Sequence, residues 1–133
     1  MNDDRGSSQS KSESLSQGVK YDEDKLKYHL VDPFALAWLV ATLSYGAVKY
    51  EEENWREVKN ANSRYYAALL RHLELWRAGE VFDEESGLPH LACVMFCAMC
   101  LTALNAPRSF KSIHQITSEA VRRARVLREK RQG

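Results

Sequence analysis

Pro89-His90-Leu91-Ala92-Cys93-Val94-Met95-Phe96-Cys97-Ala98-Met99-Cys100-Leu101-Thr102-Ala103-Leu104 is apolar on nearly every face of a helical projection. A proline can open such a helix, because its missing N–H would have no partner in the first turn anyway. Asn105-Ala106-Pro107 closes it. The apolar run from Leu91 is shorter than the roughly 18 residues a membrane span needs, so it reads as a core helix. A helix without a polar face must be covered by neighbours.

The sequence supplies those neighbours on both sides. Upstream, Glu80–Leu88 is an acidic, turn-rich loop, and Gly79 suits the left-handed cap that ends a helix. That helix is expected over Arg64–Ala78, capped by Asn62 or Ser63, with Tyr65, Leu69, His72 and Trp76 on one face. Further upstream, Asp32 can cap and Pro33 can start a helix from Phe34 to about Tyr50. It is apolar nearly all round and should be buried on most sides. Downstream, Ser112 with Gln115 forms a capping box for a last helix striped by Ile113, Ile116, Ala120, Ala124 and Leu127. No segment alternates like a strand and none repeats, so the fold is all-α, a helical bundle. Residues 1–17, with six serines, read as a disordered tail; 18–110 form the central domain and 111–133 a basic amphipathic helix. Two helices that are apolar all round, in so small a core, call for a homo-oligomer built as a dimer of dimers, the alternative being a compact monomer with the basic helix folded back.

Length and composition narrow the function classes. The chain has 133 residues, 44% hydrophobic and 28% charged, enough for one domain with a real core. Nineteen basic against eighteen acidic residues favour neither a nucleic acid nor a membrane as partner. The balance is uneven: residues 105–133 carry eight Lys/Arg against Glu119 and Glu129, leaving an acidic body suited to a cation. Cys93, Cys97 and Cys100 share one apolar run, which is no disulfide framework and indicates a reducing, cytoplasmic setting. The start, Met1-Asn-Asp-Asp-Arg-Gly, lacks the order of a signal peptide.

Four clusters could carry chemistry. Glu80 and Asp83 stand three apart at a helix end; on a continued turn both carboxylates would face one way, as hard oxygen ligands for Mg²⁺ or Mn²⁺, or the acids simply favour a helix start and the loop is solvated. His90 returns near Glu80 across a short hairpin. His72 lies two turns from Glu80, too far to share an ion without a bend, so it reads as a core residue or substrate contact. Lys49-Tyr50-Glu51-Glu52-Glu53-Asn54-Trp55-Arg56-Glu57 puts cations and rings where a base and polyphosphate could be gripped, or is a solvated helix end. Lys20, Asp22, Lys25 and Lys27 form either a phosphate-binding arm or a mobile charged one. The cysteines read as small core residues rather than zinc ligands. A non-enzymatic helical adaptor, binding a partner or nucleic acid through the basic last helix, is the alternative these features leave.

The order of the pieces is more telling than any one. Lys20-Tyr-Asp22…Lys25, Tyr45-Gly46-Ala-Val-Lys49-Tyr50…Asn54-Trp55-Arg56, and Arg71-His72-Leu…Trp76…Gly79-Glu80…Asp83-x-Glu85-Ser-Gly87…His90-Leu91 resemble the phage dATP/dGTP diphosphohydrolases, enzymes related to MazG. The resemblance covers about residues 18–104. It implies an all-α, metal-dependent, multi-subunit nucleoside triphosphate pyrophosphohydrolase. It also implies hydrolysis of dGTP, with dATP as a second substrate, to the monophosphate, supplying dGMP for 2-aminoadenine nucleotide synthesis in a phage. MazG-type enzymes place carboxylates as E-E-x-x-E on one helix and E-x-x-D on the next. Glu80 and Asp83 match the second half, whereas Glu52-Glu53…Glu57 is one residue too long for the first. On this basis Glu53, Glu80, Asp83 and His90 are the expected metal ligands, with Glu80 and Asp83 catalytic. Lys20, Lys25 and Lys49 would meet phosphates, Tyr50 or Trp55 would stack on the base, and Asn54, Asp22 and His72 complete the substrate contacts.

Overall fold

The computed structural model describes residues 17–23 and 25–133. The expected disordered tail lies almost wholly outside them. Four helices follow in order: α1 (Pro33–Lys49), α2 (Ala61–Arg77), α3 (His90–Asn105) and α4 (Phe110–Gln132). Short 3-10 turns occupy Tyr28–Leu30 and Asn54–Arg56, and the described residues contain no strand beyond one isolated bridge, Phe82 with Pro89. The fold is all-α.

α1 begins as its sequence dictates: the Asp32 carboxylate accepts the Ala35 N–H at 2.8 Å, with Pro33 in the first turn. α2 begins earlier than expected. Asn60 is its cap, in a left-handed conformation (φ 55°) and without a side-chain bond. Asn62 is diverted elsewhere, into a reciprocal amide pair with Asn105 (3.1 and 2.8 Å) that ties the start of α2 to the end of α3. Ser63 instead donates its hydroxyl to Asn60 O. α4 also starts early, because Ser109 rather than Ser112 offers the capping oxygen.

α2 ends in a Schellman motif. Glu80 N–H donates to Leu75 O (3.0 Å) and Gly79 N–H to Trp76 O (2.9 Å), with Gly79 at φ 104°. α2 and α3 then run antiparallel as the main packed pair, and α1 lies on α3. Tyr65 meets Phe96 edge-on at 5.9 Å between them. α3 supplies the core through Ala92, Cys93, Cys97 and Cys100.

Burial pushes the thiols of Cys93 and Cys97 up to about 11 and that of Cys100 up to about 12. A raised folded pKa means that the native state holds these protons more tightly than the unfolded chain. Its contribution to stability is therefore complete below about pH 9 and declines as pH climbs toward 11 to 12. At pH 8 the native chain should resist a thiol-reactive chromogenic disulfide that modifies all three cysteines in denaturant. Its thermal midpoint should fall between pH 8 and pH 11. Fast native labelling would contradict the burial.

α1 corrects an expectation. Within one chain only Thr42 of this helix is buried, while Phe34 is 77% and Val48 89% exposed, with Leu36, Trp38 and Val40 also outward. α3 can cover only one side of a helix that is apolar all round. α4 has no substantial packing partner among the described residues. None of the described helices is long and apolar enough to cross a membrane.

Candidate functional site

The loop between α2 and α3 is closed by its own polar groups. Asp83 N–H donates to Leu88 O (2.8 Å), Gly87 N–H to Asp83 O (2.8 Å) and His90 N–H to Val81 O (2.9 Å). The Asp83 carboxylate accepts at Oδ2 from the Ser86 N–H (2.9 Å) and the Ser86 hydroxyl (2.7 Å). The hydroxyl in turn accepts the Leu88 N–H at 3.2 Å. The Asp83 side chain is thereby fixed against the first turn of α3.

His90, at that first turn, is wholly buried. Its Nδ1 lies 2.9 Å from Nδ1 of His72, which projects from α2. With Asp83 the two histidines form a group whose potential ligand atoms all lie within 4.8 Å of one another, a possible metal-binding set. On its other edge, His90 Nε2 lies 3.3 Å from Glu80 Oε1, out of line for a hydrogen bond. α2 stops at Arg77, so Glu80 and Asp83 do not share a continued helical turn. Asp83 belongs to the His72–His90 group, whereas Glu80 approaches His90 alone.

The electrostatics suit a cation. Burial holds the His72 imidazole below its ordinary range, with His90 adding to the effect and Asp83 opposing it. Burial pushes the Asp83 carboxyl up, but the two hydrogen bonds from Ser86 and the neighbouring imidazoles outweigh it and leave the carboxyl below its ordinary range. Both groups therefore favour their ligating forms, neutral imidazole and carboxylate.

His72 and Asp83 also line an open cavity of about 1070 Å³, between the end of α1, the 50–58 segment, α2 and the 83–88 loop. Lys49, Tyr50, Glu53, Asn54 and Trp55 line it too. Lys49 is ion-paired with Glu85 across the cavity mouth, which holds its ammonium above the ordinary range. Its charge lies 5.4 Å from the Tyr50 ring centroid, and the Arg56 guanidinium lies 4.2 Å from that of Trp55. α1 ends at Lys49, so Glu53 and Glu57 do not share a helical face. Glu53 adopts a left-handed conformation (φ 59°), pairs with Arg56 at 3.2 Å, and stands apart from the histidine–aspartate group.

The exposed segment carrying Lys20, Asp22 and Lys25 does not line the cavity. Sequence reasoning missed Tyr65 and Arg71, which do line it. The Tyr65 hydroxyl donates to Trp55 O at 3.3 Å, fixing the turn that carries Trp55. Burial pushes this phenol up to about 12, so it stays a donor. The signal for Arg71 was its place beside His72.

Residues 16–112 match the family described as dATP/dGTP diphosphohydrolase, N-terminal. A protein of Salmonella phage PMBT28, named dATP/dGTP diphosphohydrolase, is 36% identical over 76 residues, 56% of this chain and 25% of the phage protein. The chain thus spans about a quarter of that relative's length in the match. No solved structure matches.

Proposed function

As the chain belongs to the dATP/dGTP diphosphohydrolase family through its N-terminal domain, we propose that it hydrolyses a purine deoxynucleoside triphosphate to the monophosphate. dGTP is the preferred substrate and dATP the second. The observation that carries this is the shared cavity, in which the cations and rings of Lys49, Tyr50 and Trp55 face the same space as His72 and Asp83. Its volume is of the order of the ~300–1,000 Å³ that small-molecule sites occupy.

Each side chain then has a task. Lys49 exchanges Glu85 for a phosphate. Tyr50 or Trp55 stacks on the purine, and Asn54 offers an amide to its edge. His72 and Asp83 line the wall where the phosphates end. Asp83 and His90 are the proposed ligands of a divalent ion, Mg²⁺ or Mn²⁺, with Glu80 against the far edge of the His90 ring. Such an ion withdraws charge from phosphate oxygens and lowers the pKa of a bound water. The product dGMP would supply 2-aminoadenine nucleotide synthesis in a phage.

The assembly belongs to the same proposal. The exposed apolar side of α1 favours a MazG-type homo-oligomer, a dimer of dimers. Lys20, Asp22 and Lys25, which do not reach the cavity of their own chain, would meet that of a neighbour. The exposed stripe on the basic helix α4 is what an adaptor would use, and one experiment separates the two functions. Purified chain, dGTP or dATP, and Mg²⁺ or Mn²⁺ should yield monophosphate on a nucleotide column, and EDTA should abolish it. Absence of monophosphate with every pairing sinks the hydrolase.

A further inference from the structure

The proposed function leaves the ion open between Mg²⁺ and Mn²⁺ and treats His72 as a substrate contact. We infer that His72, Asp83 and His90 together form a nitrogen-rich site for one first-row transition-metal dication, of the Mn²⁺, Co²⁺ or Zn²⁺ class. This sharpens the metal half of that reading and is independent of the substrate.

Three observations carry the inference. The first is the pair of Nδ1 atoms at 2.9 Å, with ring centroids 5.1 Å apart and the planes inclined by 45°. Two neutral imidazole nitrogens at this distance must share a single proton, or their lone pairs oppose each other. A cation satisfies both at once. Imidazole nitrogens bind such ions at about 2.0–2.1 Å, which places two neighbouring ligands about 3 Å apart. The second is the Asp83 carboxylate, pinned by Ser86 at Oδ2, with no hydrogen bond to Oδ1 among the described residues.

The third is the far edge of the buried imidazole. Among the described residues His90 Nε2 has no hydrogen-bond partner, although Glu80 Oε1 lies 3.3 Å away. A ligating histidine ordinarily donates its other N–H to a carboxylate, which fixes its tautomer and orientation. With the ion on Nδ1, Nε2 carries the proton and a small ring rotation aims it at Glu80. Glu80 thus becomes a positioning residue behind the ligand rather than a ligand itself. The donor set decides the class of ion. Two imidazoles and one carboxylate suit first-row transition ions, whereas Mg²⁺ prefers oxygen and keeps several waters.

Cobalt provides the probe, since its d–d absorption reports nitrogen ligation without any reference to catalysis. The full chain, stripped with EDTA and dialysed, is titrated with Co²⁺ in the visible range. The expected result is a band that saturates at one equivalent, is erased by Zn²⁺, and survives millimolar Mg²⁺. One equivalent of Zn²⁺ should also raise the thermal midpoint by several degrees. His72→Gln removes a partly exposed imidazole, so the fold should persist, as checked by circular dichroism, while the band and the midpoint shift disappear. Glu80→Gln should retain the band and weaken Co²⁺ binding about tenfold, the usual scale for losing the partner of a ligating histidine. No saturable band in the wild-type chain, or an equal band in His72→Gln, overturns the site. Hydrolysis of dGTP with Mg²⁺ and no cobalt band would remove the site and leave the hydrolase standing; a band without hydrolysis would do the reverse.

Discussion

Asp83→Asn should lower kcat/KM for dGTP by 100-fold or more and leave the helical circular dichroism unchanged. The substitution is nearly isosteric, and the remaining carbonyl oxygen can still accept from Ser86, which now holds the carboxylate through two hydrogen bonds. The loop therefore keeps the closure that brings His90 back to Val81. What is lost is the negative charge beside His72 and His90, and with it an anionic donor to the proposed cation. A hundredfold loss corresponds to about 2.7 kcal/mol of transition-state stabilisation, within the usual range for an electrostatic group in a reacting site. Single-turnover kinetics at saturating metal separates weakened ion binding from impaired chemistry. Near-normal turnover, with unchanged dichroism, would remove Asp83 from the site.

The sequence discloses that aspartate more readily than its partners, and the reason is local. Asp32 and Pro33 at the start of α1, Gly79 at the end of α2 and Pro89 before α3 each act through their own backbone, so a linear reading finds them. The caps of α2 and α4 depend on competition. Asn62 is drawn into its pair with Asn105, 43 residues away, and Ser109 captures the role read for Ser112. His72 reads as a core residue or substrate contact rather than a ligand, because it lies two turns before Glu80 along α2. That distance was not the relevant one. The chain reverses through the Schellman motif and the Asp83-closed loop, and the antiparallel register of α2 and α3 then sets the first turn of α3 beside the middle of α2. Register of this kind comes from core packing around Cys93, Cys97 and Phe96, and no spacing within one helix reports it. Glu53 fails as a helical carboxylate for a related reason: α1 ends four residues before it.

Trp38→Glu should convert the proposed assembly into single chains of 15.3 kDa. Phe34 and Trp38 are one helical turn apart, so they share the outward side of α1, and both remain substantially exposed in one chain. Val40 and Leu36 add exposed apolar surface on another side of the helix. Covering a large apolar side chain is worth about 1.5–3 kcal/mol. A carboxylate in place of Trp38 removes that gain and adds the cost of an unpaired charge against apolar surface. A combined loss of about 4 kcal/mol weakens association by roughly three orders of magnitude, since every 1.4 kcal/mol is tenfold. Trp38 is 43% exposed in one chain, and Thr42, the buried residue of α1, is left untouched one turn further on, so the helix should stay seated on α3. Light scattering after size exclusion at micromolar concentration should give a mass near four chains for the wild type and one for the variant, with matching circular dichroism. If the exposed N-terminal segment completes a neighbour's cavity, hydrolysis falls together with the mass. A wild-type chain that is fully active at 15.3 kDa refutes both the assembly and the shared cavity.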